Sequence, residues 1–384
     1  MVVAMKRQVP PVILRSVQTA REAGLSYVEV SSLDIKRIGE NGKFRYIDGG
    51  GRTVRDAAVL ARIRGLVIPP AWTEVRICTS ESGHLQAIGR DARGRLQYRY
   101  HPRWREVRDC AKYDHILEFA AALPRIRRRV AGDLAQRALS REKVLATVVS
   151  LLETTLIRVG NEEYARSNGS FGLSTMRERH VAVHGETVEF RFPGKSGRRH
   201  SIQLRNRRIA HVIRRLQELP GQRLFQYEGS DGVIHDIESG DVNAYLHEVG
   251  GSDFTAKDFR TWAGTVLAGT ALLGMGEFTT ALQAKRNIVA AIEFTAARLG
   301  NTPAICRKCY VHPEIFSGYL DGGLAAAGRQ QTAAKQMLAA EETMVLSFLR
   351  RRLVKRAAER DLAAPRSLRT VQTAKRVVRK DLSR

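Results

Sequence analysis

The sequence predicts an α+β protein: a small β-rich N-terminal domain, then a larger and mostly α-helical domain. Three observations predict it. Short β-rich runs broken by Gly and Pro occupy residues 27–100. Apolar residues at helical spacing fill most of the chain after residue 108. The charge is also uneven. Residues 1–105 hold 19 Lys/Arg against 9 Asp/Glu, and residues 350–384 hold 13 against 3, while the segment between is nearly balanced at 32 against 27.

In chain order, residues 27–30, 44–47 and 75–77 read as strands, with breakers at Gly49-Gly50-Gly51, Pro69-Pro70 and around Gly94. One helix, 54–64, sits among them, and residues 96–100 alternate as a strand does. A charged segment near 102–109 is expected to join the domains. Residues 114–123 and 140–157 have helical periodicity, with Ser140 as a plausible N-cap. Residues 181–204 form a β island of strand, turn, strand, turn and strand. Helices are expected at 207–218, 242–249, 256–273, 279–299 and 330–356, with a Gly-rich loop at 320–328. The boundaries that follow are a flexible extension at 1–20, a β-rich domain at 21–107, a mostly α domain at 108–360 with its meander at 181–204, and a basic tail at 361–384.

Composition narrows the function. Of 384 residues 43% are hydrophobic and 27% charged, so the chain can bury a core. A net charge of +25 points to a polyanionic partner, with nucleic acid ahead of an anionic membrane. Lys6, Arg7, Pro10 and Pro11 interrupt any secretory h-region, and the uncharged run 261–276 is too short and Gly-rich to span a bilayer. Four cysteines (78, 110, 306 and 309) do not make a disulfide framework. These features predict a soluble intracellular protein.

The motifs differ in weight. Gln97-Tyr98-Arg99-Tyr100 interleaves aromatics and a cation on a strand, with both tyrosines on one face, a pattern suited to bases and phosphates. Pro193-Gly194-Lys195-Ser196 is not a P-loop, because the template requires glycine where Glu189 stands and a helix where a strand follows. Cys306-x-x-Cys309 lacks a second ligand pair, His312 supplying only a third group. Two guanidiniums, a lysine and a tyrosine suffice for phosphodiester transesterification. Arginine forks stabilise the pentacoordinate transition state. A phenol of reference pKa ~10 can attack if cations favour its phenolate. A lysine can protonate the leaving alkoxide. Spacing alone does not choose these residues among many arginines and ten tyrosines.

Taken together, IPPAW (68–72), GRDARGRLQYRYHPRW (89–104), IRVGNEEYARSNGSFGLSTMRERHV (157–181), FRFPGKSGRRH (190–200), KDFRTW (257–262) and LGNTPAICRKCYVHP (299–313) resemble the poxvirus-type and bacterial type IB DNA topoisomerases. The resemblance spans roughly 26–320. It implies a C-shaped clamp of two lobes round duplex DNA, with a catalytic domain of the tyrosine recombinase kind. It implies Arg158 and Arg260 as the catalytic arginines, Lys195 as general acid on the 5′-oxygen, and Tyr310 as the nucleophile forming a 3′-phosphotyrosine. Asn301 stands where the poxvirus and nuclear enzymes carry histidine, and can still donate a neutral hydrogen bond. Gln97, Tyr98, Tyr100, Tyr164 and Lys257 match DNA-contacting positions. The implied enzyme needs neither ATP nor a divalent metal, works as a monomer on duplex DNA away from membranes, and resides in a bacterial cytoplasm at the nucleoid.

Two alternatives remain at this stage. A tyrosine recombinase shares the chemistry, but usually carries histidine where Lys257 stands, three residues before the second arginine. A non-enzymatic DNA-binding protein shares the charge, but would leave DNA topology unchanged.

Overall fold

The computed structural model describes residues 17–363 apart from 22, 40–42, 93 and 331–336. Most of the predicted extension (1–20), nearly all of the basic tail (361–384) and the start of the helix expected at 330–356 lie outside the described residues. The chain divides into two compact units after His115.

The first unit is built on a five-stranded antiparallel sheet of order β2-β1-β3-β4-β5. Its strands are β1 (Ile35–Ile38), β2 (Arg45–Ile47), β3 (Thr73–Ile77), β4 (Leu85–Arg90) and β5 (Leu96–Tyr100). Helix α1 (Ala57–Gly65) is capped by Asp56, whose carboxylate accepts from the Ala58 and Val59 amides, and buries Ile63 against Ile35, Val75, Ile77 and Ala87. Arg37 on β1 donates to the carbonyls of Pro69 (3.2 Å) and Trp72 (2.5 Å) and lies over the Phe44 ring, so IPPAW is a loop held by its backbone.

One expectation fails here. Residues 27–30 are not a strand: Ser26 makes one bridge to Gly83, and the chain then coils into a 3-10 turn at Val30–Ser32. The Tyr27 ring stacks on His84 with centroids 4.4 Å apart, so its packing replaces strand pairing. Residues 102–109, expected to join the domains, are helical: they open α2 (Pro102–Ala135), which runs through the division after His115, and proline occupies its first position, which needs no amide donor.

In the second unit the core gathers round α3 (Arg141–Thr155), N-capped by Ser140 and buried from Val144 to Leu152 except for one turn edge. Helix α4 (Glu162–Asn168) follows, capped by Asn161. The meander β6 (Val181–His184), β7 (Thr187–Pro193) and β8 (Arg199–Arg205) pairs Phe190 with Val181 and Ile202. Helix α5 (Arg207–Gln217) buries Ile209, Val212, Ile213 and Leu216 beneath an arginine-rich outer face. A short hairpin of β9 (Gln226–Glu228) and β10 (Ile234–Asp236) precedes α6 (Ser239–Gly250), α7 (Ala256–Gly274) and α8 (Ala281–Leu299). Then come α9 (Pro303–Cys309), α10 (Pro313–Leu320), α11 (Gly323–Arg329) and α12 (Ala340–Ala363). The loop expected at 320–328 is therefore largely helix: Gly322 turns the chain at φ 76°, and α11 then buries Leu324 and Ala327. Among the described residues no helix is long and apolar enough to cross a membrane.

One ionic cluster ties α2, α3 and α12 together. Arg127 meets Glu153 at 2.5 Å and Glu342 at 2.8 Å, and Glu342 also accepts from the Trp262 indole at 3.0 Å. Burial raises the Glu153 pKa and Arg127 opposes that shift, so the arginine keeps the pair of carboxylates tolerable. Arg127→Met should therefore cost about 2–4 kcal/mol, since it strands two partly buried carboxylates. A denaturant melt checks this.

Candidate active site

Four of the predicted catalytic residues converge at loop ends in the second unit. Helix α3 stops at Leu156, which takes a left-handed conformation (φ 57°), and the chain runs on through Ile157 to Arg158. This loop pairs with a second one: the Leu173 amide donates to the Arg158 carbonyl at 2.9 Å, and the Ser174 amide to Val159 at 2.6 Å. Helix α8 ends at Leu299 with Gly300 left-handed, which delivers Asn301.

Arg260, on α7, joins these two ends. Its Nη1 donates to the Leu156 carbonyl, and its Nη2 to the Leu299 carbonyl at 2.5 Å. The side chain is buried, with 3% of its surface exposed. The Arg158 Nη2 then donates to Oδ1 of Asn301. A guanidinium only donates, so this bond uses the Asn301 oxygen and leaves its amide nitrogen as a donor. Both that Nδ2 and the Arg260 Nε are buried with no partner among the described residues.

Tyr310 is the C-cap of α9, and its amide donates to Cys306 at 2.9 Å. Its carbonyl accepts from Thr265 Oγ1 at 3.3 Å, and its ring lies beneath the Arg260 guanidinium, 5.3 Å from Cζ to centroid. Arg260 and Gly264, four residues apart, share a face of α7. Gly264 is needed there: a Cβ would stand 2.7 Å from the Tyr310 carbonyl oxygen and 3.1 Å from its Cβ. Gly264→Ala should displace Tyr310 and slow DNA cleavage about 10–100-fold while leaving DNA affinity unchanged, a split read by single-turnover cleavage beside a binding titration.

The electrostatics are one-sided. Burial first, and then Arg158, lower the Arg260 pKa to about 10, so the guanidinium is still charged at neutral pH. Among the described residues neither Arg158 nor Arg260 pairs with a carboxylate, an arrangement suited to an anion. Lys195 occupies the one-turn 3-10 segment Lys195–Gly197 between β7 and β8, with its side chain exposed. Among the described residues it makes no hydrogen bond to any of the other four. Its turn does: Arg198 Nη1 donates to the Asn301 carbonyl at 3.4 Å.

The predicted DNA-contacting residues are spread over both units. Tyr98 and Tyr100 stack at 5.9 Å on one face of β5, and Tyr98 is 42% exposed. Gln97 donates to Asp91 at 2.9 Å. Arg99, read from the sequence as a phosphate contact, instead lies over Trp72 and donates to the Val67 carbonyl at 3.0 Å. Tyr164 on α4 and Lys257 in the first turn of α7 are both exposed. Cys306 is fully buried and its thiol is pushed up to about 11 by burial, so it stays protonated and is a poor metal ligand. His312 caps α10, its Nδ1 accepting from the Glu314 amide at 3.1 Å.

Sequence reasoning missed Gly264, Thr265, Arg198 and His200. Gly264 was findable, lying four residues after Arg260 on a helix; Thr265, one residue further round, was not. Arg198 and His200 carried no signal beyond their place in a basic hairpin.

Two family models and several viral proteins match this chain. A family model described as eukaryotic DNA topoisomerase I, catalytic core, matches residues 101–338, and one described as bacterial DNA topoisomerase IB, N-terminal domain, matches residues 43–91. The DNA topoisomerase 1B of Acanthamoeba polyphaga mimivirus is 33% identical over 284 residues, 72% of this chain and 84% of that protein. The vaccinia virus (strain Copenhagen) DNA topoisomerase 1B is 24% identical over 237 residues, 60% of this chain and 70% of its own.

Proposed function

This chain belongs to the type IB DNA topoisomerases, and on that premise we propose that Tyr310 is the nucleophile of its strand cleavage. The phenolate oxygen attacks a backbone phosphorus in duplex DNA, a 3′-phosphotyrosine bond forms, and the bond to the 5′-oxygen breaks. Arg158, Arg260 and Asn301 hold the non-bridging oxygens as charge builds on them. Lys195 gives its proton to the departing 5′-oxygen. The nicked duplex swivels, and the 5′-hydroxyl attacks the phosphotyrosine to reseal it, returning its proton to Lys195.

The observation that carries this reading is the pair of buried donors without partners, Arg260 Nε and Asn301 Nδ2, in a cluster whose neighbouring ring is Tyr310. Burying unpaired donors costs about 1–3 kcal/mol each, and a phosphoryl group would satisfy both. The energy of the broken phosphodiester is kept in the tyrosyl ester, so the cycle requires neither ATP nor a divalent metal. Gln97, Tyr98, Tyr100, Tyr164 and Lys257 contact the duplex outside the reacting centre. The enzyme works as a monomer in a bacterial cytoplasm, at the nucleoid. The match of its N-terminal segment to a bacterial domain supports that setting.

The test is relaxation of supercoiled plasmid by the purified protein in EDTA without ATP. Both positive and negative supercoils should relax. Failure with either sign across a range of salt concentrations would refute the swivel mechanism.

A further inference from the structure

One histidine lies between the two turns that present Lys195 and Asn301. His200 pairs with Phe192 across the β7–β8 hairpin, and the two rings stack with centroids 5.1 Å apart at 20°. A Cβ at Gly194, just before Lys195, would stand 2.5 Å from Cδ2 and Nε2 of that imidazole. A Cβ at Gly300, just before Asn301, would stand 2.9 Å from its Cε1. The imidazole thus fills the space that side chains on both turns would need. Arg198 supports the same junction by donating to the Asn301 carbonyl.

We propose that His200 is a positioning residue, a wedge that sets the distance between the Lys195 turn and the Arg158–Asn301 pair. The proposal rests on the reading of Lys195 as general acid. No carbon–oxygen or phosphorus–oxygen bond is made or broken at His200; it acts through where it holds the lysine. The ring suits this role because it adds no charge. Burial first, and then Arg158, Arg260 and Arg198, hold its pKa below the usual histidine range, so it is neutral at physiological pH. A cationic ring there would repel the three arginines and compete for the phosphate.

The prediction separates proton delivery from phosphate binding. A sulfur in place of the 5′-bridging oxygen leaves as a thiolate, which needs no proton because a thiol has a pKa of ~8.5. A misplaced general acid should therefore slow cleavage of ordinary DNA but not of the sulfur-substituted duplex. In single-turnover cleavage, His200→Ala should be slower than wild type by about 100-fold on ordinary DNA and within about threefold on the sulfur substrate. His200→Phe keeps the ring volume and should recover most of the lost rate on ordinary DNA. DNA affinity should be the same for all three proteins.

Three outcomes would overturn the proposal: a wild-type rate for His200→Ala on ordinary DNA, equal slowing on both substrates, or no recovery with His200→Phe. Lys195→Ala run alongside separates this from failure of the underlying reading. If sulfur does not rescue Lys195→Ala, the general-acid assignment falls. If sulfur rescues Lys195→Ala but not His200→Ala, only the role of His200 falls.

Discussion

Tyr310→Phe should bind DNA with unchanged affinity and form no covalent adduct. The change removes one oxygen and keeps the ring beneath Arg260, where the contact is 5.3 Å from Cζ to centroid. The backbone bonds of residue 310 to Cys306 and Thr265 also survive, since neither uses the phenol. The nucleophile is lost, together with the side-chain hydrogen bond that the phenol shares with Arg260. Loss of a nucleophile lowers turnover by roughly 10⁵–10⁶-fold, so relaxation should vanish from a plasmid assay. Denaturing the protein on labelled DNA reads the adduct directly. A normal yield of adduct in this variant would move the nucleophile to another residue.

Arg260→Lys should give the second-largest loss, about 10²–10³-fold in cleavage rate. Lysine keeps the charge but not the fork. Arg260 uses its two Nη atoms to hold the carbonyls of Leu156 and Leu299, which leaves Nε buried without a partner among the described residues and, in the proposed reaction, available to the phosphate. An ammonium has no planar arrangement to do all three. Because the two carbonyls lie on the loops that carry Arg158 and Asn301, the substitution should loosen both. The matching readouts are single-turnover cleavage and the thermal midpoint. A cleavage rate within tenfold of wild type would show that the fork is dispensable.

Much of the fold is legible in the sequence where periodicity is clean. Residues 207–218 alternate arginines with buried aliphatics at helical spacing, and α5 forms there. The meander at 181–204 is readable because its turns carry glycine and its strands alternate. Legibility fails where burial is uniform or the element is short. Strand β4 is buried from Leu85 to Gly89, so it shows no alternation, and Gly89 reads as a breaker. In fact Gly89 sits where a Cβ would meet Trp72 at 2.9 Å. Helices α9 to α11 are of seven or eight residues and begin with proline or glycine. Isolated helices that short are unstable, and only packing on the core holds them. The IPPAW motif is another case, since nothing in its own residues shows that Arg37 binds its carbonyls.

The sequence by itself determined the family, through several motifs in one order, and the resemblance they carry implied the chemical groups: two arginines, a hairpin lysine, an asparagine and a tyrosine. The tertiary structure decided how they act together. It set Arg260 across two loop ends, bound the Asn301 side-chain oxygen to Arg158, and filled the space beside Lys195 with His200. The physical reason is that these links run to backbone carbonyls or into space left by glycines. Every residue has a carbonyl, and a glycine does not say what fills the place of its side chain, so such contacts leave no mark in a linear pattern until the chain has folded.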